Sequence, residues 1–252
     1  LVPVHSIEAL QADPNVVVKT TSGTRPHWMD MNVTQPPFDD LRVRQAMNYA
    51  VDVDLIVDQL LKGRASIVSG PLMPMNYFAD PTLKPYGYYP VKALALLKEA
   101  GWQDTDGDGF LNNTRGELFA FVIDTEVTNS EYAEAIARQL RAIRIDASVR
   151  VWPDPGVLRS MFLKGKRMAY LGSWGDASHD PIGNFEAKWR TTVPGTGRGR
   201  GNFALYSNPR VDELIDAADL SGPAGYEPID GNPLLNVVEA DACRLYKYYG
   251  IL

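Results

Sequence analysis

Apolar positions recur along this chain with two periods, and those periods place most of its elements. Val43, Ala46, Met47 and Ala50 stand at i, i+3, i+4 and i+7, one face of a helix over 40–50 that Asp39 or Asp40 can cap. Asp52 then caps a second helix, 53–62, with Val53, Ile56, Val57, Leu60 and Leu61 on its apolar face and Gly63 where a helix-ending glycine belongs. Pro90 opens a third, 91–100, with Val91, Leu94 and Leu97 inward and Gly101 at its end. Ala133, Ile136, Ala137 and Leu140 mark a fourth, 130–142, and Thr128 with Glu131 forms a capping-box pattern before it. Asp154-Pro155 opens a helix through Lys164, and Asn208-Pro209 opens one over 209–219 carrying Val211, Leu214, Ile215 and Ala218. Short helices at Ser6–Ala12 and Pro233–Tyr248 complete the set.

The other period is that of strands. Asn15–Thr20 is a β-branched run, and His27–Val33 alternates apolar with polar. Glu117–Thr125, Ile145–Trp152 and Met168–Ser173 read as three more strands. Strand, helix and strand between 117 and 152 make a βαβ unit, which calls for a parallel pair. The Pro-, Gly- and Tyr-rich stretch 64–90 reads as an ordered loop rather than a linker. The expected class is α/β, with no internal repeat.

Composition narrows the function. A chain of 252 residues, 45% hydrophobic and 22% charged, is long enough to bury a core and excludes disorder or a coiled coil as a whole-chain state. The net charge of −6 lacks the basic surplus of a nucleic-acid binder. The single cysteine, Cys243, permits no intrachain disulfide and no cysteine zinc site, and in its apolar surroundings it reads as a structural thiol. No apolar run is long enough to insert in a membrane. The chain opens on Leu1 rather than Met, without a signal peptide, and reads as a piece of a longer protein.

The search for catalytic chemistry returns little. His5, His27 and His179 are far apart, and neither HExxH nor G-x-S-x-G occurs. The glycines between Gly195 and Gly201 complete no phosphate-loop motif and read as a flexible surface loop. The run from Asp104 to Gly109 places Asp104, Asp106 and Asp108 as in the first half of an EF-hand calcium loop. Arg115 stands where the bidentate Glu belongs and Glu117 comes two residues late, so the competing reading is an Asp/Gly turn. No cofactor is required by either reading. The stretch Gly172–Pro181 follows a strand and joins an aromatic, carboxylates and a histidine where α/β folds place ligand contacts; a plain turn is the alternative.

Five stretches in order carry a family resemblance. Pro37-Phe-Asp-Asp-Leu-Arg-Val-Arg-Gln-Ala-Met-Asn-Tyr-Ala-Val-Asp52 resembles the signature helix of the extracytoplasmic solute-binding proteins of ABC importers, family 5, the peptide/nickel type. The loop with Gly70-Pro71 and Pro74, the helix from Tyr89 to Trp102, the segment from Ser173-Trp-Gly-Asp176 to Asp180-Pro181, and Tyr206-Ser-Asn-Pro-Arg-Val-Asp-Glu-Leu-Ile215 are similar to later family motifs. The departures are three. Arg144 replaces the glycine that usually follows the helix, which speaks against a left-handed turn there. The 173–181 segment is about one residue longer than in the best-known peptide binders. The family's ending is not recognisable after residue 220.

The resemblance implies one lobe of a type II periplasmic-binding-protein fold, a mixed sheet flanked by helices. Residues 1–252 would be the second, C-terminal lobe, with 221–252 unplaced in register. It implies a hinged clamp that captures a small peptide or similar solute and passes it to an ABC permease without chemistry. The setting would be periplasmic or lipid-anchored, with a signal peptide upstream of this chain. By motif position Asp176 meets the solute's α-ammonium through a charge-assisted hydrogen bond and Trp174 forms an apolar wall. Ser173 and His179 are further ligand-contact candidates in the same segment, with solvent the alternative for His179, and Asp180 orders the turn before Pro181. The competing classes are a small α/β hydrolase with an unrecognised site and a non-catalytic interaction module.

Overall fold

The computed structural model describes residues 4–20, 23, 25–74, 76, 79–175 and 181–221. Helix α1 (Val4–Gln11) precedes strand β1 (His27–Met31). Three helices follow: α2 (Leu41–Ala50), α3 (Val53–Leu61) and α4 (Pro90–Glu99). Next come β2 (Ala120–Glu126), a 3₁₀ turn at Val127–Asn129, α5 (Ser130–Ala142) and β3 (Asp146–Trp152). The described part ends with α6 (Pro155–Leu163), β4 (Ala169–Ser173), α7 (Pro181–Lys188) and α8 (Pro209–Ser221).

The expected caps hold the first helices. The Arg42 amide donates to the Asp40 carboxylate at the start of α2, and the Leu55 amide donates to Asp52 at the start of α3. The left-handed turn that ends α3 begins one residue early, at Lys62 (φ 53°), and continues through Gly63. The capping box does not form. Thr128 lies inside the 3₁₀ turn, so α5 starts one residue beyond Asn129 and no side chain caps it. Arg144 adopts φ 71°, so the left-handed turn is present without its glycine, and the Arg144 carbonyl accepts from the Leu111 amide.

The four strands form one sheet in the order β1-β4-β2-β3. Strands β2, β3 and β4 run parallel, and β1 lies antiparallel on the β4 edge, with His27 opposite Ser173 and Met31 opposite Ala169. The β2–α5–β3 unit is the βαβ that the sequence predicts. Alternation then sorts the side chains onto two faces. Met29, Met31, Phe121, Ile123, Ala147, Ala169 and Leu171 point to one face and bury against α2, α4 and α5, where Met47, Leu97, Ile136 and Leu140 are fully enclosed. Trp28, Asp30, Asp124, Glu126, Arg150, Trp152 and Tyr170 occupy the alternate positions on the other face. There Leu158 and Phe162 of α6 pack with Tyr170 and Phe203. Helices α7 and α8 enclose a third cluster of Phe185, Trp189, Val211, Leu214 and Ile215.

One local expectation fails. Residues 15–20 form no strand, and Val17 is 80% exposed, because no neighbouring strand offers its edge to them. Helix α7 lacks a long apolar repeat and goes unpredicted. The glycine run near 195–201 is a surface loop as expected through its exposed residues 193–198, and it is anchored at its far end, where a Cβ on Gly199 would stand 2.6 Å from the Arg190 carbonyl oxygen. The helix expected at Pro233–Tyr248, and Cys243 within it, lie outside the described residues.

Candidate functional site

The parallel strands β2, β3 and β4 end side by side at Glu126, Trp152 and Ser173, and antiparallel β1 begins beside them at His27. This is the carboxyl edge of the sheet, where α/β folds present ligand contacts. Ser173 and Trp174 stand on it, both half-buried. The Trp174 amide donates to the Pro26 carbonyl at 3.3 Å, which ties the chain leaving β4 to the chain entering β1. Arg25 Nη1 donates to Ser173 Oγ at 3.5 Å. Asp176, His179 and Asp180 lie outside the described residues; Pro181 resumes the described chain as the first residue of α7.

Beneath Trp174 lies a feature that motif reading missed. Lys188, the last residue of α7, donates from Nζ to Asp30 Oδ2 at 2.8 Å, with side chains 3% and 5% exposed. Burial pushes the lysine down and the aspartic acid up, and their mutual attraction opposes both shifts. Aromatic rings gather round the ammonium: Phe203 at 4.6 Å, Trp28 at 5.2 Å and Trp174 at 5.9 Å from their centroids. Arg200 lies 5.7 Å from the same Trp174 ring. Gly201 leaves the space they need. A Cβ there would come within 2.9 Å of Trp174 Cζ3 and 3.0 Å of Lys188 Cδ.

Two further polar groups occupy the same face. Glu126 Oε1 accepts from Arg159 Nη2 at 2.6 Å and from the Tyr170 hydroxyl at 2.7 Å. Burial, then the neighbouring carboxylate, pushes the Tyr170 phenol well above its ordinary range. Asp124, two residues back, accepts from Trp152 Nε1 at 2.6 Å, with Arg150 at 3.8 Å and Arg167 at 4.0 Å. Burial raises its carboxyl group despite those donors. One signal could have found these groups: Asp30, Asp124 and Glu126 sit at alternating positions inside strands, where a carboxylate demands a partner. Lys188 could not have been found this way, being 158 residues from Asp30.

On the opposite side of β1 a cleft of about 840 Å³ runs between α3 and the 63–68 segment, lined by Arg25, His27, Arg64 and Tyr132 among others. His27 meets Tyr132 edge-on at 5.8 Å, and burial lowers its pKa.

The acidic turn belongs to the other end of the sheet, where Leu111 bonds to Arg144. The carboxylate oxygens of Asp104, Asp106 and Asp108 lie within 4.8 Å of one another. Each already accepts a backbone amide, from Gly107, Asp108 and Phe110, and Arg144 stands 3.4 Å from Asp104. Glu117 accepts from Asn113 and Arg115. The triad thus offers three of the roughly six to eight oxygens that calcium takes.

Residues 1–195 match the family model described as bacterial extracellular solute-binding proteins, family 5 Middle. Among curated proteins, the glutathione-binding protein GsiB of Escherichia coli K12 is 28% identical over 221 residues, covering 86% of this chain and 41% of that protein. GsiB of Salmonella paratyphi A is 29% identical over the same length. The chain therefore spans less than half the length of the curated relatives it matches. Two solved structures share its fold. The oligopeptide-binding protein AppA of Bacillus subtilis, in complex with a nonapeptide, superposes with TM-score 0.78 at 22% identity over 98% of this chain and 48% of its own. DppA of Helicobacter pylori, in complex with the peptide STSA, gives 0.77 at 23% over 98% and 45%. Among the described residues no helix is long and apolar enough to cross a membrane.

Proposed function

The chain belongs to the family 5 bacterial extracellular solute-binding proteins, and from that premise we propose that it is the second, C-terminal lobe of a receptor that captures a small peptide or similar solute for an ABC permease. The observation that carries this reading is the carboxyl edge of the sheet, where Trp174 is seated at the start of the segment leading to Asp176. Trp174 supplies an apolar wall, and Asp176 the charge that meets a solute ammonium. Capture is non-covalent, and the names of the relatives, all binding proteins, do not favour the hydrolase alternative. The setting is periplasmic or lipid-anchored, with the signal peptide and the other lobe in the remainder of the protein. Calcium at the acidic turn is a separate proposal, supported by the clustering of the three carboxylates.

A clamp draws contacts from both lobes and excludes water by closing. On the half-clamp reading the solute's ammonium would meet its carboxylate without a second lobe to exclude water, and such a pair contributes roughly 0–1 kcal/mol. Association costs an estimated ~4–15 kcal/mol. The 252-residue chain should therefore bind glutathione or short peptides in the millimolar range or worse. The whole protein should bind orders of magnitude tighter, and Asp176→Ala should weaken it. Titration calorimetry on both decides: micromolar binding by this chain alone would end the half-clamp reading.

A further inference from the structure

We propose that the buried Asp30–Lys188 pair and Gly201 are positioning residues for solute recognition: together they form the seat that fixes the ring of Trp174. This rests on the reading of Trp174 as a solute-facing wall. The argument begins with cost. A buried ion pair is seldom a net gain in stability, since removing two charges from water offsets most of their attraction. Apolar side chains of similar size would hold this site as well. What they would not supply is a buried cation against the indole; Arg200, 5.7 Å from the same ring, is exposed to water. The Lys188 ammonium points into a ring of three aromatic faces, and Trp174 is the half-buried member of the three. The quadrupole of an indole draws it toward a cation, most strongly where water is excluded.

The other two supports act on the same ring. Asp30 holds Nζ in place from β1, so the position of the cation is set by the sheet and not by the flexible lysine stem. Gly201 sets the depth of the seat, because any side chain there would meet the ring and the lysine together. The backbone bond from Trp174 to Pro26 fixes the start of the segment, and the seat fixes its side chain. A wall held in this way selects solutes by shape, because adapting to a bulkier one means breaking the seat.

The test follows the ring itself. The chain is labelled with 5-fluorotryptophan, and the Trp174 line in its fluorine spectrum is assigned by its loss in Trp174→Phe. Asp30→Leu/Lys188→Met removes both charges at similar volume, and Gly201→Ala leaves the pair intact but crowds the seat. Both should move the Trp174 line toward that of free fluorotryptophan while the Trp102 line stays. Leu140→Ala, which destabilises the remote core, should leave the Trp174 line in place. In the whole protein, the two seat variants should lose about tenfold or more in affinity for an equimolar tripeptide mixture, and Leu140→Ala should not. An unmoved Trp174 line in both seat variants would overturn the proposal, as would a displaced ring with unchanged affinity. If the unaltered whole protein takes up no tripeptide, the capture reading fails, while the fluorine line still decides whether the seat exists.

Discussion

The two faces of the sheet are built from the same strands and do different work. One carries Met29, Met31, Ile123 and Leu171 into a core of α2, α4 and α5. The other carries Asp30, Asp124 and Glu126, each with named donors from distant parts of the chain. The first face needs only the right volume of apolar atoms, and each large side chain it encloses contributes about 1.5–3 kcal/mol. The second needs particular partners at particular distances. Neutral packing stabilises without specifying a geometry, and buried charges specify a geometry while adding little stability. The edge where the two meet holds Trp174, and the polar face is the one that touches it.

The comparison breaks most visibly at Lys188. Lys188→Ala alone leaves Asp30 buried and uncompensated, and should cost about 3–5 kcal/mol in urea unfolding. The double replacement Asp30→Leu/Lys188→Met should restore most of that loss. If the single and double variants were equally unstable, the polar face would be a source of net stability after all. Leu140→Ala on the apolar face should cost about 2–5 kcal/mol, with no partner replacement able to rescue it.

A gentler probe is Asp124→Asn, which keeps an acceptor for Trp152 and should change stability by about 1 kcal/mol or less at neutral pH. Its pH dependence has a definite sign. Burial holds the Asp124 carboxyl above its ordinary value of 3.8. Its contribution to stability is then fully present below that value and is lost as pH rises through the raised one. On acidification from neutral pH the natural chain gains from this group, and Asp124→Asn does not. The melting temperature of the variant should therefore fall more steeply toward pH 4; parallel curves would place the group in the ordinary range.

The smallest effect belongs to neither face. Calcium bound at the acidic turn should raise the melting temperature by about 1 °C or more at millimolar concentration, and no rise would leave a plain turn closed by its own amide donors. A rise reversed by EDTA would make Asp104, Asp106 and Asp108 a cation site.

What the sequence discloses follows the same division. Helices α2, α3 and α5 and the parallel β2–β3 pair are legible because an apolar face repeats within a short window; α4 is found, but of Val91, Leu94 and Leu97 read as inward only Leu97 is buried, beside Ala93, and Val91 is exposed. Asn15–Thr20 misleads, since β-branched residues state a preference that only a neighbouring strand can satisfy. Thr128 and Glu131 carry the spacing of a capping box, but the chain spends Thr128 on a 3₁₀ turn. Arg144 shows that a left-handed turn can be held by its surroundings when glycine is missing. The place of Ser173 and Trp174 at the end of β4 is legible in the apolar run before them. The seat under Trp174 is not, because Asp30, Lys188 and Gly201 become neighbours only after the sheet and α7 are assembled.

The antiparallel edge strand has a temporal consequence. Of the four strands β1 is made first, yet its partner strand and the ammonium that neutralises Asp30 come late, Lys188 being 158 residues downstream. At roughly 5–20 residues per second, the nascent β1 waits on the order of 8–30 seconds with its edge unpaired. The β2–α5–β3 unit can close locally in the meantime, at far lower entropic cost. Pulsed hydrogen exchange during refolding should accordingly find the amides of β2 and β3 protected before those of β1. The reverse order would mean that β1 finds a temporary partner. On this timetable the first-made strand of the sheet is the last to be locked, and the seat of Trp174 is completed only once α7 is in place.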